Sequence, residues 1–432
     1  MIVSGPILSS DTLVIDYFHN PTVPSRLIAI TFTSSANRAL EGLGFGGKFL
    51  LDNKIDVIAV KCSSDDWYQS IPDESFELIE RIVRHKEYSK VVSYGASMGG
   101  YAAILFSERL KCDVVLALSP QYSIVESFDK RWESHARKIL WRHKVSREAI
   151  RQSCQYVIIY DEHDLDKGHA ERFSSLIPEA NYVGIGLPFG GHPISNYLLE
   201  VGVIKNVALR VFLGDRVDCR NLMENRRASK SFLKNLSIYL YKKNKSALSL
   251  LMIDRAIKLD GGVSSFFTHK SLVLEGMGRL NDSISSLISA INLDANPLLK
   301  LRVSKLLMEG GRYEEALRYI DSGLTEFGDM AVLHRKKSEI LLAQSELILA
   351  VSSATIACDI EPRNPYYRIH LSGVYVRQGR YDAALLEVDR ALIFTPRIAA
   401  LYRTKIEILR RLGDAEAAEV VLRSQEYVEL LD

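Results

Sequence analysis

Five segments in the second half of the chain superpose on one register: EGMGRLNDSISSLISAI, MEGGRYEEALRYIDSGL, LLAQSELILAVSSATIA, VRQGRYDAALLEVDRAL and LRRLGDAEAAEVVLRSQ. Aligned on Gly278, Gly311, Ser345, Gly379 and Gly413, they recur at intervals of 33, 34, 34 and 34 residues. Two places later stand Leu280, Tyr313, Leu347, Tyr381 and Ala415, and three beyond those come Ser283, Ala316, Ala350, Ala384 and Ala418. Seven further on are Ala290, Gly323, Ala357, Ala391 and Gln425, and Pro362 and Pro396 close two of the units. A fixed period of this length restricts the fold to a stack of like supersecondary units, each burying its apolar face on its neighbours. Within a unit, a Gly or small polar residue ends a first helix and lets the chain reverse. Small residues then let the two helices approach closely, larger ones fill the gaps, and proline stops the second helix.

This small/large order at a 34-residue period resembles the tetratricopeptide repeat. A sixth, degenerate unit ends in SALSLLMIDRAIKLDGG, with Ala256 standing 34 residues before Ala290, so the array is expected over 229–432 as five to six units. The first-helix tryptophan of the family is replaced by Phe267, Lys300, His334, Arg368 and Tyr402, which removes packing volume but leaves the architecture standing. The resemblance implies an all-α solenoid whose concave face binds a protein partner. A spacer or dimerisation arm is the other use of such an array.

Up to about residue 215 the pattern is different. TLVIDYF, RLIAITFT, DVIAVK, KVVSYG, DVVLALS, QYVIIYD and NYVGIGL read as strands, with helical spacing in FELIERIVRHK and GGYAAILFSERL between them. Almost wholly apolar central strands alternating with helices predict a doubly wound, mostly parallel α/β sheet over 1–215. RVDCRNLMENRRASK is polar and lacks apolar periodicity, so 216–228 is expected to be a linker. With 55 basic and 53 acidic side chains the formal charge is +2, which gives no reason to expect a nucleic-acid partner. Five scattered cysteines form no C-x-x-C pair, and no signal sequence or apolar run long enough for a transmembrane segment is visible, so a cytoplasmic location is expected.

YGASMGG follows the strand KVVSY and opens the helix GGYAAILFS, placing Gly95, Ser97 and Gly99 in the G-x-S-x-G pattern of a nucleophile elbow. The turn is too tight for side chains at the glycines; it would project Ser97 from the carboxyl edge of the sheet, with the Met98 N–H facing an oxyanion. A serine needs a base and the base an orienting carboxylate. Downstream, QYVIIY runs into a loop with Asp161, Asp164 and Asp166, and NYVGIGL into PFGGHPISNYLLE with His192. Each candidate lies on a loop after a strand, in the order serine, acid, histidine. Residues 1–215 thus resemble the α/β-hydrolase superfamily. The family places its acid a few residues beyond the strand, which favours Asp164, with Asp161 as the alternative. The resemblance also implies a second oxyanion donor after RLIAITFT, at Thr33 or Ser34, and an acyl-serine route for an esterase, thioesterase or acyltransferase on a small-molecule or glycan ester. The rival reading is a non-catalytic interaction protein in which Ser97 marks only a sharp turn.

Other features have plainer readings. Gly42, Gly44, Gly46 and Gly47 imitate a dinucleotide fingerprint but follow no strand, so no cofactor is expected. His163 and His169 beside the aspartates crowd one short loop without a partner motif, which argues against a metal site. Trp67 and Tyr68, on the loop after DVIAVK, are either a substrate platform or loop packing. Residues 120–154 form an insertion of the kind that caps an active site. From 130 to 151 it carries eight basic residues against Glu133 and Glu148, which suits either an anionic ligand or a solvated face.

Overall fold

The β-branched runs assemble into one sheet in the computed structural model, which describes residues 3–424; Gln425 of the late small-residue column lies outside them. Contacts divide the chain into two compact units, Met1–Gly261 and Gly262–Asp432. The first unit begins with β1 (Val3–Ser9), β2 (Leu13–His19), β3 (Leu27–Phe32), α1 (Gly47–Asp52), β4 (Asp56–Cys62) and α2 (Asp73–His85). There follow β5 (Lys90–Ala96), α3 (Met98–Leu105), β6 (Val114–Leu118), α4 (Glu133–Ala136), β7 (Gln155–Asp161) and α5 (Asp166–Ser174). The unit ends with β8 (Tyr182–Leu187), α6 (Ile194–Glu200), α7 (Ile204–Leu213), α8 (Cys219–Met223), α9 (Lys230–Lys242) and α10 (Ser246–Leu259).

The eight strands lie in the order β1-β2-β4-β3-β5-β6-β7-β8. β1 and β2 pair antiparallel and β2 meets β4 antiparallel, while β4, β3, β5, β6, β7 and β8 run parallel. Every residue of β4 and β6 is buried, as strands covered on both faces must be. Because six strands share one direction, the loops that follow them emerge at one edge, and residues distant in sequence are gathered there. β1 was not expected from its sequence. Gly5 and Pro6 weaken a strand pattern, yet an edge strand tolerates them, and the pairing with β2 shifts register between Pro6 and Leu8.

The polar stretch after 215 is not an open linker. It contains α8, and the α9–α10 hairpin that follows belongs to the first unit, so the division falls at Gly261 instead of at 216–228. The cause is a set of long-range polar bonds: Glu200 accepts from the Ser229 and Ser231 hydroxyls at 2.5 and 2.7 Å, and the Tyr197 hydroxyl donates to the Leu222 carbonyl at 2.7 Å.

Among the described residues the second unit is five helical hairpins: α11 (Ser264–Gly276) with α12 (Leu280–Leu293), α13 (Pro297–Glu309) with α14 (Tyr313–Phe327), and α15 (Ala331–Ala343) with α16 (Leu347–Ile360). α17 (Pro365–Arg377) with α18 (Tyr381–Phe394) and α19 (Ala399–Leu412) with α20 (Ala415–Leu422) complete it. This is a tetratricopeptide-type solenoid. The turn residues Gly278, Gly311, Gly379 and Gly413 have φ of 73°, 72°, 74° and 86°, and Ser345 is held at 67°. The glycines answer a left-handed backbone, not a lack of room, since nothing lies within 4 Å of a Cβ built at any of the four. Asn244, 34 residues before Gly278, takes φ 58° in the α9–α10 hairpin and marks it as the sixth unit. The alanine columns are buried as expected, Ala316, Ala350 and Ala384 fully so. One further column was overlooked in the sequence: Ser237, Ser271, Ser304, Ser338 and Ser372 are all fully buried on the first helices. In three of them the hydroxyl bonds across the hairpin: Ser237 to the Ser249 carbonyl at 2.8 Å, Ser271 to the Ser283 hydroxyl at 2.8 Å and Ser338 to the Ala350 carbonyl at 2.7 Å.

Candidate functional site

Ser97 sits between β5 and α3 with φ 53° and ψ −120°, a conformation that a side chain adopts only under constraint. The flanking glycines supply that constraint. A Cβ on Gly95 would lie 2.3 Å from the Gly99 carbonyl oxygen, and one on Gly99 would lie 2.3 Å from the Phe32 carbonyl oxygen. The turn therefore presses the helix start against two strands and turns the serine outward to the carboxyl edge.

Three side chains from separate loops meet there. Ser97 Oγ is 2.9 Å from His192 Nε2, and His192 Nδ1 is 2.9 Å from both carboxylate oxygens of Asp166. The two histidine bonds fix its tautomer: Nδ1–H donates to the carboxylate, leaving Nε2 to accept the Ser97 proton. The carboxylate that pairs with His192 is Asp166, not the expected Asp164 or the alternative Asp161. Asp164 Oδ1 accepts from the Leu165 N–H at 2.6 Å, and its other oxygen lies 3.5 Å from Arg131. Asp161 is committed to backbone: it accepts from the N–H groups of His163, Phe189 and Gly191 at 2.8, 3.1 and 2.7 Å, pinning the loop that carries His192. Burial raises the Asp161 carboxyl above its ordinary value, and those three N–H bonds oppose the rise. Asp166 stands as the first residue of α5 with its side chain only 1% exposed. Burial alone would raise its pKa, but the bond to His192, the nearby Ser119 hydroxyl and the Arg131 charge hold it below the ordinary carboxylate value.

Arg131, from the insertion, ties the site to that segment. It bonds Asp166 at 3.1 Å and Asp129 at 2.7 Å, and Asp129 in turn lies 3.0 Å from Nε2 of the fully buried His169. At least one of the eight basic residues of the insertion is thus spent on a buried network and does not attract ligand. Asp129 is held well below the usual carboxylate range, its burial outweighed by the bonds to Arg131 and His169. Gln121, also missed in the sequence, is fully buried, and its Oε1 lies 3.2 Å from Ser97 Oγ as the alternative acceptor for the one hydroxyl proton, while its Nε2 has no protein partner. Its position on the loop after β6, at the same edge, is the signal that could have found it.

The expected oxyanion donors divide. Met98 is buried at the first position of α3, where an N–H has no intrahelical acceptor. The Thr33 N–H instead donates to the Val60 carbonyl at 3.3 Å, so it is not available, and Ser34 is the half-buried residue that follows it. Trp67 and Tyr68 are fully buried and form no substrate platform. Trp67 packs edge-on against Trp132 at 5.3 Å, and the Tyr68 hydroxyl donates to the Thr33 carbonyl at 2.8 Å. They brace the loop after β3. A cavity of about 310 Å³ lies beside them, lined by Asp66, Gln69, His135 and Arg142 among others, and neither Ser97 nor His192 lines it. Among the described residues no His/Cys/Asp/Glu cluster could hold a metal ion, and no helix is long and apolar enough to cross a membrane.

The α9 helix supports the histidine loop. Asn235 Nδ2 donates to the Phe189 carbonyl at 3.3 Å, a Cβ on Gly191 would meet Asn235 at 2.3 Å, and the Phe189 ring packs on Tyr239 at 5.1 Å.

No family model matches the chain. The N-terminal acetyltransferase A complex auxiliary subunit NAA15 of Arabidopsis thaliana is 27% identical over 145 residues, which is 30% of this chain and 16% of that protein. The chain therefore spans about one-sixth of that relative's length. Among solved structures, a tetratricopeptide repeat protein of Parabacteroides merdae is 15% identical, covering 44% of this chain and 77% of its own, with a TM-score of 0.39. The repeat protein TTC0263 of Thermus thermophilus is 19% identical over 42% of this chain and 99% of its own, with a TM-score of 0.32. The expectation of an esterase, thioesterase or acyltransferase is corrected by the curated relative, which is named an auxiliary subunit.

Proposed function

We propose that this chain is a protein-binding scaffold whose repeat array receives a segment of a partner protein, and whose first unit is of the α/β-hydrolase type and holds an activated serine. The observation that supports the scaffold is continuity: α13 touches α15, α15 touches α17, and α17 touches α19, so these four first helices form one unbroken layer. Such a layer offers a longer surface than any single hairpin. A photo-reactive side chain at Leu298, 65% exposed on α13, should cross-link a partner protein, while one at Ile348, 81% exposed on the second helix α16, should not. Cross-links from Ile348 alone would contradict the reading.

The strand order and the elbow at Ser97 support the α/β-hydrolase type, and the Ser97–His192–Asp166 geometry supports the activated serine. This concerns the reactivity of one hydroxyl and assigns it no substrate. A fluorophosphonate should label the wild-type chain and leave Ser97→Ala unlabelled; equal labelling of both would place the reactive group elsewhere.

A further inference from the structure

The repeat unit is electrically two-sided. Its five first helices (α11, α13, α15, α17 and α19) carry 13 Lys and Arg against 4 Asp and Glu. The five second helices (α12, α14, α16, α18 and α20) carry 2 against 11. Part of this contrast stitches each hairpin or its neighbour together, as in Lys300–Glu326 at 2.5 Å, Lys337–Asp321 at 2.8 Å, Arg368–Glu387 at 2.6 Å and Lys405–Asp389 at 2.8 Å. Those four pairs use fewer than a third of the first-helix cations. Of the remaining first-helix cations, Arg302, Lys305, Arg335 and Lys336 gather on α13 and α15.

A groove of about 310 Å³ opens in that layer between α13 and α15. Its apolar side chains include Leu301 and Val332, and its charged lining is Arg302, Lys305, Arg335 and Lys336 against one carboxylate, Glu339. Arg335 and Lys336 both lean on Glu339, Arg302 reaches Glu275 at 2.9 Å, and Lys305 reaches Glu309 at 3.5 Å. Each cation thus has a partner of its own chain, but two of them share one carboxylate. A ligand carboxylate arriving here finds donors already oriented and only partly neutralised.

We infer that the first-helix layer binds an acidic, extended protein segment with interspersed apolar side chains, seated at the α13–α15 groove. The inference rests on the scaffold reading and adds the chemistry of the partner. An apolar floor favours a peptide over a nucleic acid, since phosphates have nothing to place on Leu301 and Val332. An acidic segment satisfies the cations with its carboxylates and the floor with its apolar residues.

The test is fluorescence anisotropy on the full chain with three labelled probes: a peptide of about twelve residues alternating Leu with Glu and Asp, its counterpart with Lys at the acidic positions, and an oligouridine of the same length. The acidic peptide should bind best and weaken as salt rises. Lys305→Glu combined with Lys336→Glu should weaken it by about tenfold or more. Arg318→Glu combined with Arg390→Glu, the same change of charge on the second helices α14 and α18, should leave it unchanged. Circular dichroism of each variant shows whether the hairpins remain folded. Equal or tighter binding of the Lys peptide or the oligouridine overturns the inference, as does an inner-layer reversal without effect in a folded variant. If no probe binds while Leu298 still cross-links a partner, the acidic preference fails and the scaffold reading stands; failure of both ends both.

Discussion

The two units reach order by opposite routes. In the first, the residues that meet at the sheet edge stand at 97, 121, 131, 166 and 192, and one parallel sheet gathers them. In the second, nearly everything a residue touches lies within one repeat of it, as in the serine-column bonds that span twelve positions. The first unit can therefore hold one precise arrangement that a single change destroys. The second spreads its work over many similar contacts, so changes there should be graded and local.

Truncation offers the widest separation between the two. A chain ending at residue 215 loses Phe232, Asn235 and Tyr239 from the loop that carries His192, and leaves Glu200 without Ser229 and Ser231. It should be poorly soluble or fail to react at Ser97, whereas a chain ending at 261 should be soluble and react like the full chain. Solubility and fluorophosphonate labelling of both decide this; a reactive 1–215 fragment would show that the α9–α10 hairpin is dispensable.

A substitution inside the array should act on one side only. Ala350 is fully buried beneath the Ser338 hydroxyl, so Ala350→Leu should lower the stability of the repeat unit by about 2 kcal/mol through overpacking. Two-phase denaturation, read by helix signal for the array and by Ser97 labelling for the sheet unit, should show the second phase unmoved. Loss of labelling in parallel would mean that the units unfold together.

The smallest effect is expected at Ser345, the one position of its column in the second unit that is not glycine. Its φ of 67° costs a serine more than a glycine, so Ser345→Gly should raise the stability of the repeat unit by about 0.5–1 kcal/mol. A thermal midpoint that falls on this change would contradict a turn set by backbone conformation.

Legibility in the sequence follows the same division. The array announced itself because every hairpin repeats the same backbone demand, a left-handed residue and a pair of small ones. The serine column was equally regular and was passed over because serine, unlike glycine, does not stand out as a breaker. In the first unit, Ser97 and His192 were legible because a tight turn leaves glycines beside one and the other is alone on its loop. The acid was not, because three aspartates within six residues differ only in how the loop closes. Asp164 accepts from the adjoining N–H of Leu165, and two residues on, at the start of α5, Asp166 is buried against His192. The domain join was missed for a related reason: residues 216–228 look like a linker, and only Glu200, far upstream, reveals that the following hairpin is fastened down.

That choice among aspartates is where the account of the site is most exposed. Intact-mass measurement of fluorophosphonate labelling should be run over time on the wild-type chain and on Asp161→Asn, Asp164→Asn and Asp166→Asn. The geometry predicts that Asp166→Asn slows labelling of Ser97 by roughly 10⁴-fold, since the amide favours the wrong histidine tautomer, while Asp164→Asn stays near the wild-type rate. Asp161→Asn should fall between them, through a loosened Phe189–Gly191 backbone. A normal rate in Asp166→Asn, or a collapse confined to Asp164→Asn, would contradict the assignment of Asp166 as the residue that orients His192.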